Sequence, residues 1–185
     1  MSGTGKIVWV RADHLPSAAE RKRMVTSALE AGYADIVIRE EDAALQRVGR
    51  YCAIVRKGDG LYVEGKRLGA VLTVREAKDV EGASRFKGKE EAVLVESHDW
   101  KVIPLENLIA EFQGTGTKVI ASCASVEEAK LFAATLESGV DGLAITIGDP
   151  AGLGRFSELR RPEVATIELV EATVKGVRPV SVGDR

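Results

Sequence analysis

The stretch EAVLVESHDWKVIPLENLIA, Glu91–Ala110, decides the fold. It begins with an apolar run at 92–95 that is typical of a buried strand, and a burst of ionisable side chains follows directly. After Pro104, the spacing of apolar residues in LENLIA predicts a short amphipathic helix. A strand that ends in polar side chains and leads into a helix is how α/β proteins build active sites. We therefore expect an α/β fold with its function at the end of this strand.

Length and composition indicate one globular domain. The 185 residues suffice for a sizeable core, and 45% are hydrophobic and 29% charged. The net charge of −2 without a basic face predicts no binding to nucleic acid, and no apolar run has the length of a membrane span. Cys52 and Cys123 lie in apolar runs without metal-ligand spacing. With no signal peptide, they predict a cytoplasmic protein with reduced thiols and no metal site.

Eight apolar segments with strand-like composition alternate with predicted helices. They are 6–11, 35–39, 51–56, 69–74, 92–95, 118–122, 143–147 and 167–172. Strands that alternate with helices form parallel βαβ units, and eight units predict a closed (β/α)8 barrel, a TIM-barrel-like domain. Such barrels typically have about 250 residues, so an open parallel α/β sheet is the structural alternative for this shorter chain. The short segment 61–67 is interpreted as a hairpin arm outside the eight strands.

Two capping boxes predict where helices begin. Ser17 precedes Glu20 by three residues, and Ser125 precedes Glu128 by the same spacing. In this pattern the serine accepts a hydrogen bond from the third residue of the helix, whose side chain caps the serine backbone in return. We therefore expect helices to start after Ser17 and after Ser125.

Polar side chains follow most of the predicted strands, at the end where parallel α/β proteins bind ligands. They are Asp13, His14, Glu40, Glu41, Arg75, Glu76, Glu96, His98, Asp99, Lys101, Ser122, Cys123, Thr146 and Glu171. A polar residue at a strand end commonly does no more than begin a loop. The concentration of such residues after the segment 92–95 is what favours a functional site there.

Lys101 and Glu106 are the candidate catalytic residues in this concentration. A lysine beside Trp100 and Ile103 would have its charged form disfavoured by desolvation, and it would then suit the role of a base or of a Schiff-base amine. Glu106, in the first turn of the predicted helix, would suit general acid or base chemistry. Each has a structural alternative: Lys101 as a surface residue paired with an acid, and Glu106 as a favourable charge at a helix start.

No nucleotide-binding motif is recognisable in the sequence. No G-x-G-x-x-G follows a predicted strand, and the glycine-containing segment 148–154 has no basic residue. The cofactor-binding residues therefore stay unassigned. The final residues 174–185, VKGVRPVSVGDR, carry no capping pattern. Since domain boundaries fall in such linkers, we predict an α/β domain at 1–178, with 179–185 as the start of a C-terminal domain that the chain lacks.

The string DWKVIPLENLIA at 99–110 resembles the signature of the type II, archaeal-type 3-dehydroquinate synthases. The segments KIVWVRAD (6–13), VTSALEAGYADIVI (25–38), LESGVDGLAI (136–145) and VGDR (182–185) are similar to that family as well, so the resemblance spans essentially the whole chain. Members of the family are considerably longer. The resemblance therefore implies the N-terminal domain of such an enzyme.

The resemblance implies an NAD-dependent oxidoreductase of the shikimate pathway, in aromatic amino acid biosynthesis. The family deaminates 2-amino-3,7-dideoxy-D-threo-hept-6-ulosonate oxidatively and closes the product to 3-dehydroquinate by aldol addition. The resemblance does not assign residues to these steps. Our hypothesis is that Lys101 enolises the methyl ketone, as a base or as an enamine-forming amine, and that Glu106 or Asp99 supplies a proton to the alkoxide. The expected substrate contacts are Trp100, Asn107, Asp13 and Arg11.

Two other functions stay open at this point. A relative of the family makes 3-amino-4-hydroxybenzoate from a phosphorylated analogue of the substrate, with a metal and without an external redox cofactor. A non-catalytic fragment that packs against a partner domain is the third interpretation. The expected partners are a small amino-keto acid and the C-terminal domain, and formation of a homo-oligomer is left open, as are the roles of His14 and His98.

Overall fold

The computed structural model describes residues 6–97, 105–135 and 139–160, whose strands form a closed eight-stranded barrel. The strands are β1 Ile7–Arg11, β2 Asp35–Arg39, β3 Cys52–Lys57, β4 Gly60–Val63, β5 Lys66–Val74, β6 Ala92–Ser97, β7 Lys118–Cys123 and β8 Gly142–Ile145. β1 pairs in parallel with both β2 and β8, which closes the sheet on itself. The predicted TIM-barrel-like α/β fold is confirmed, and the closure excludes the open-sheet alternative.

One barrel strand runs against the others. β4 pairs antiparallel with both β3 and β5 through two tight hairpins. Gly58 stands first in the β3–β4 turn with φ +59°, and Glu64 and Gly65 form the β4–β5 turn with φ +50° and +78°. Positive φ at these positions is what type II′ and type I′ hairpin turns require. The segment 61–67 therefore forms the predicted hairpin, but its omission from the barrel strands was wrong, because it belongs to β4 and to the start of β5.

The antiparallel strand explains how a short chain closes a barrel. A parallel connection needs a crossover of about a dozen or more residues, whereas each of these hairpins turns within about two. β8 is consequently the eighth strand, and it pairs with β1. The segment 167–172, which was predicted to be the eighth, lies outside the described residues.

Helices pack around the outside of the barrel. Those in the described residues are α1 Ala18–Glu30, α2 Ala77–Glu81, α3 Leu105–Phe112 and α4 Val126–Ala134, with 3-10 helices at Glu40–Arg47, Gly82–Phe86 and Pro150–Arg160. None of the helices in 6–97, 105–135 and 139–160 combines the length and the apolar character needed to cross a membrane.

Both predicted capping positions are confirmed. At α1, Ser17 Oγ accepts from the Glu20 N–H at 3.2 Å, and the Glu20 carboxylate accepts from the Ser17 N–H at 3.0 Å. At α4, Ser125 Oγ accepts from the Glu128 N–H at 3.1 Å, but the Glu128 carboxylate accepts from the Ala124 N–H instead, at 2.8 Å. Each cap satisfies helix N–H groups that would otherwise lack a partner.

Apolar side chains form two layers, one inside the barrel and one between the barrel and its helices. The interior layer consists of Trp9, Val37, Ile54, Leu61, Val71, Ala92, Leu94, Ile120 and Ala144. Side chains alternate across a strand, so the residues between these point outward toward the helices. α3 buries Leu105, Leu108, Ile109 and Phe112 in the outer layer, which is the amphipathic spacing that LENLIA predicted.

Candidate active site

A polar cavity of about 1330 Å³ lies at the carboxyl ends of the parallel strands. At or just after the ends of these strands, seven side chains that line it each lie two residues beyond an apolar residue of the barrel interior, because inward positions recur at every second residue. These side chains are Arg11, Arg39, Arg56, Thr73, Glu96, Ser122 and Thr146. The alternation that builds the apolar interior therefore also builds the polar lining.

Arg11, Asp13, Arg56 and Glu96 form an ion-pair network that crosses the barrel from β1 to β3 and β6. Arg11 donates to Asp13 twice, from Nε to Oδ1 at 2.9 Å and from Nη2 to Oδ2 at 2.6 Å, and its Nη1 contacts Glu96. Arg56 Nη1 donates to Asp13 Oδ2 at 3.0 Å and to Glu96 Oε1 at 2.9 Å. Two cations thus share two anions, and the network separates the cavity from the apolar interior.

Pairing keeps the buried members of this network charged. Burial by itself would raise the pKa of Asp13, but the hydrogen bonds and charges of Arg11 and Arg56 outweigh it and hold that pKa below its usual value. Burial would lower the pKa of Arg11, yet Asp13 and Glu96 raise it. A carboxylate occupied by two guanidinium groups is poorly suited to accept a proton. We therefore interpret Asp13 as a group that positions the arginines.

Arg39 lies beside the network, at the end of β2. Its Nε donates to the backbone oxygen of Asp13 at 2.6 Å, and its Nη2 donates to that of Leu15 at 3.0 Å. Its Nη1 contacts the carboxylate of Glu41 at 3.3 Å, but the Glu41 side chain is 63% exposed. Because such an exposed pair is weak, Arg39 presents a positive charge to the cavity.

A second buried ion pair holds the segment that follows Arg39. Arg21 of α1 contacts Asp42 in the 3-10 helix Glu40–Arg47, through Nε at 2.5 Å and Nη2 at 3.1 Å. Its Nη1 donates to the backbone oxygens of Leu15 and Pro16. The pair therefore ties α1, the loop after β1 and the 3-10 helix together around the base of Arg39.

Hydroxyl groups line the β7–β8 side of the cavity. Thr146 Oγ1 donates to the backbone oxygen of Ala144 at 3.1 Å, and Ser122 Oγ lies 2.8 Å from Thr146 Oγ1. Since the single hydroxyl hydrogen of Thr146 is used, Ser122 is the donor in this pair. Ser122 Oγ therefore keeps lone pairs that can accept a hydrogen bond from a hydroxyl or an ammonium group of a ligand.

His14 also lines the cavity, and it is half-buried. Hydrogen bonding with the backbone of Arg11 and Ile147 acts to raise its pKa. Its buried Nδ1 has no hydrogen-bond partner among the described residues. Burial, together with the charge of Arg11, lowers the pKa of His14 below its usual value. The imidazole is therefore neutral at pH 7.

We expect His14 to titrate below pH 6.5, its ordinary value. Because its pKa is lower in the folded chain than in the unfolded one, the proton favours the unfolded state, and stability falls as the pH drops through 6.5 toward the folded pKa. Proton NMR on the parent chain and on His14→Gln identifies the resonance, since the variant keeps only His98. A midpoint at or above 6.5 for His14 would contradict this expectation.

A family model described as "3-dehydroquinate synthase II N-terminal domain" matches residues 5–160. The chain belongs to this family. The resemblance expected from DWKVIPLENLIA is thereby confirmed.

Curated relatives named 3-dehydroquinate synthase agree with this assignment. The protein of Methanocorpusculum labreanum is 42% identical over 178 residues, which cover 96% of this chain and 52% of the relative. That of Methanoregula boonei is 37% identical over 164 residues, with 89% and 47% covered, and that of Archaeoglobus fulgidus is 37% identical over 181 residues, with 97% and 50% covered. The chain thus spans about half the length of the curated relatives it matches.

The structure brings together two of the site residues that the 3-dehydroquinate synthase II resemblance suggested. Arg11 and Asp13 line the cavity and bind each other, with side chains 3% and 1% exposed. Glu106 and Asn107 lie at exposed positions of α3 and are not among the residues that line the cavity. The remaining predicted residues, Lys101, Asp99, Trp100 and His98, lie outside the described residues. All of the assigned roles stay predictions.

Sequence reasoning did not single out Arg39, Arg56 or Thr73. The signal was present, because each follows an interior apolar residue of its strand by two positions. The same alternation shows why Cys123 is absent from the cavity lining. It packs in the outer layer, where burial raises the pKa of its thiol to about 12.

The described residues contain neither a metal-binding cluster nor a dinucleotide-binding loop. Among them, no group of three or more His, Cys, Asp and Glu side chains could hold a metal ion. None of the described connections from a strand to a helix carries the G-x-G-x-x-G sequence that binds a dinucleotide pyrophosphate. The cavity, at about 1330 Å³, exceeds the usual range of about 300–1,000 Å³ for small-molecule sites.

Proposed function

We propose that this chain forms half of a 3-dehydroquinate synthase and that the chemistry takes place at the mouth of the barrel. In this reaction the amine-bearing carbon of 2-amino-3,7-dideoxy-D-threo-hept-6-ulosonate loses a hydride, and water hydrolyses the imine to a ketone and ammonia. The methyl ketone at the other end of the molecule then loses a proton, and its carbon adds to the new ketone to close the ring as 3-dehydroquinate. NAD, when bound, supplies the acceptor for the hydride.

The described residues do not carry a dinucleotide fingerprint, so we assign none of them to NAD. The observation that supports the proposal is the position of the family's motif relative to the cavity. β6 contributes Glu96 to the ion-pair network, and Ser97, the last residue of β6, lines the cavity. The residues 98–104 of the motif connect Ser97 directly to α3. We propose that they carry Lys101 to the same cavity.

In this proposal the ring closure needs a base and an acid. Lys101 acts as the base that enolises the methyl ketone, or as the amine that forms an enamine with it. Asp99 supplies the proton to the alkoxide that forms when the ring closes, and Trp100 contacts the substrate. Glu106 and Asn107, which were predicted for these two roles as well, lie at exposed positions of α3 outside the cavity lining, so this proposal does not use them. Arg11 and Asp13 are buried and bound to each other. They contribute by holding Glu96 and Arg56 in place at the cavity floor.

The test supplies the amino-keto acid and NAD to this chain, alone and together with the separately expressed C-terminal half of the Methanocorpusculum labreanum relative. Reduced nicotinamide is followed by absorbance, and ammonia and 3-dehydroquinate are quantified. We expect all three products in equal amounts in at least the combined sample. Catalysis in the combined sample alone would show that this chain needs the second half.

Two results would overturn the proposal. Turnover of the phosphorylated analogue that needs a divalent metal and no NAD would assign the chain to the 3-amino-4-hydroxybenzoate-forming branch. No turnover in any sample, although the two halves associate, would favour the interpretation of a fragment that only packs against a partner domain.

A further inference from the structure

Three arginines point into the mouth of the barrel from consecutive strands, but they differ in what they can offer a ligand. Arg11 is 3% exposed, and each of its three guanidinium nitrogens contacts Asp13 or Glu96. It has no free edge for a ligand. Arg39 and Arg56 are 34% and 28% exposed, so their side chains reach the cavity.

Arg39 and Arg56 are direct partners in the sheet. They lie opposite each other in the register of β2 and β3, and both occupy inward positions at the strand ends. Both are also anchored on one residue, since Arg39 Nε donates to the backbone oxygen of Asp13 and Arg56 Nη1 donates to its carboxylate. The two guanidinium groups are therefore held side by side around Asp13.

Arg56 has one guanidinium nitrogen without a partner among the described residues, and Arg39 has one whose partner is an exposed acid. Arg56 uses Nη1 for Asp13 and Glu96 and Nε for the backbone oxygen of Gly58, at 3.2 Å, while its Nη2 has no partner among the described residues. Arg39 uses Nε and Nη2 for backbone oxygens, and its Nη1 meets only the exposed Glu41, at 3.3 Å. Arg56 is thus open at Nη2, and at Arg39 Nη1 a ligand has to replace only the exposed Glu41.

The local charge balance favours an anion at these open edges. In the ion-pair network, the cations Arg11 and Arg56 balance the anions Asp13 and Glu96, and Arg39 adds a positive charge. Three acids outside the network also line the cavity. Glu40 is 64% exposed and paired with Lys57, Glu41 is shared by Arg39 and Arg21, and Glu128 accepts from the Ala124 N–H at the start of α4. Glu41 is a weak competitor, because its pairs with Arg39 and Arg21 measure 3.3 Å and 3.2 Å and its side chain is mostly in water.

We propose that Arg39 and Arg56 form a carboxylate-binding subsite at the mouth of the barrel. A carboxylate presents two oxygens in a plane, and guanidinium edges bind such a group with charge-assisted hydrogen bonds. Fixing the arginines before the ligand arrives avoids much of the entropy that ordering them would cost. The identity of the ligand rests on the proposed function: the subsite takes the carboxylate of the polyhydroxy acid that becomes 3-dehydroquinate. Ser122 Oγ can accept a hydrogen bond from a hydroxyl of the same molecule.

The experiment measures binding of 3-dehydroquinate and of its uncharged methyl ester to the full 185-residue chain by calorimetry. We expect the acid to bind about 10- to 100-fold more tightly than the ester, the ratio that a charged hydrogen bond provides. In Arg39→Met and in Arg56→Lys this ratio should fall to about 3-fold or less, while the affinity for the ester changes little. Arg56→Lys keeps the charge that Asp13 and Glu96 need, so it tests the open edge without removing their cation.

Arg67→Met is the matched control, because Arg67 pairs with Glu90 and lies away from the polar cavity. It should keep the full acid-to-ester ratio. Three results would overturn the subsite. They are equal affinity for acid and ester in the parent chain, an unchanged ratio in both arginine variants, and no binding of either compound. These outcomes are separate from turnover: if the combined halves make 3-dehydroquinate while the ratio is absent, the proposed function stands and the subsite is wrong.

Discussion

Replacing Asp13 by alanine is expected to lower the free energy of unfolding by about 3–5 kcal/mol. Asp13 accepts two hydrogen bonds from Arg11 and one from Arg56, and its side chain is 1% exposed. Its removal leaves the buried Arg11 guanidinium with Glu96 as its remaining acid among the described residues. Urea denaturation, followed by tryptophan fluorescence to which the interior Trp9 contributes, measures the loss.

Two controls separate the buried charge from the loss of a side chain. Glu40→Ala removes an exposed acid that pairs with Lys57 at 2.6 Å, and it should cost about 0–1 kcal/mol. The double variant Arg11→Met/Asp13→Leu should cost less than the two single changes added together, because it leaves no unpaired charge from this pair in the barrel. A loss for Asp13→Ala no larger than that for Glu40→Ala would show that the network does not stabilise the fold.

The same carboxylate predicts sensitivity to acid. The ordinary pKa of an aspartate is about 3.9 in an unfolded chain, and Arg11 and Arg56 hold the folded pKa of Asp13 below its usual value. The stabilisation is therefore fully present above the unfolded pKa and is lost as the pH falls through the folded pKa. Asp13→Asn should be destabilised at neutral pH and should lose less further stability between about pH 5 and pH 2 than the parent. Parallel stability curves would contradict this.

Replacing Lys101 by methionine is expected to lower kcat by about 10²- to 10⁴-fold in an intact homologue that carries the motif DWKVIPLENLIA. Ring closure requires that a methyl ketone lose a proton, and the ketone alone is too weak an acid for neutral water. An amine removes that proton as a base, or makes it more acidic by forming an iminium ion. Methionine keeps a similar length and removes both options.

The two roles of Lys101 can be separated by trapping. Borohydride added with the substrate should attach it covalently to the parent enzyme if Lys101 forms a Schiff base, and mass spectrometry would locate the adduct. Lys22→Met, on the exposed surface of α1, is the control and should keep the parental rate. If turnover by Lys101→Met equals that of the parent, neither role is correct, and the base must be sought elsewhere, beginning with the neutral His14.

The outline of the barrel could be predicted because it depends on local patterns. The strands at 35–39 and 118–122 and the helix after Pro104 follow from runs and spacings that few other structures satisfy. β4 escaped prediction because four residues between glycine-containing turns do not show by themselves which neighbours they will pair with. Its place is decided by pairing with two strands, and pairing is a property of the folded sheet.

The sequence predicted where polar side chains would gather, but it did not predict which of their charges would be paired. Polar residues at strand ends indicated the mouth of the barrel, and Arg11, Asp13 and Glu96 were among them or beside them. Arg39 and Arg56 were missed because they close their strands as ordinary basic residues. They reach Asp13 because both occupy inward-facing positions of their strands, which only the folded barrel reveals.

The sequence by itself determined that this chain is an α/β protein of the 3-dehydroquinate synthase II family, because periodicity, capping and the string DWKVIPLENLIA are local properties of the chain. The tertiary structure alone decided that β8 closes onto β1 and that an antiparallel strand completes the circle. It also decided which arginines are fully paired with carboxylates and which can still bind a ligand. Arg11 and Arg56 carry the same charge, but closure of the barrel buries Arg11 between two carboxylates and leaves an edge of Arg56 facing the cavity, since burial depends on residues distant in the chain.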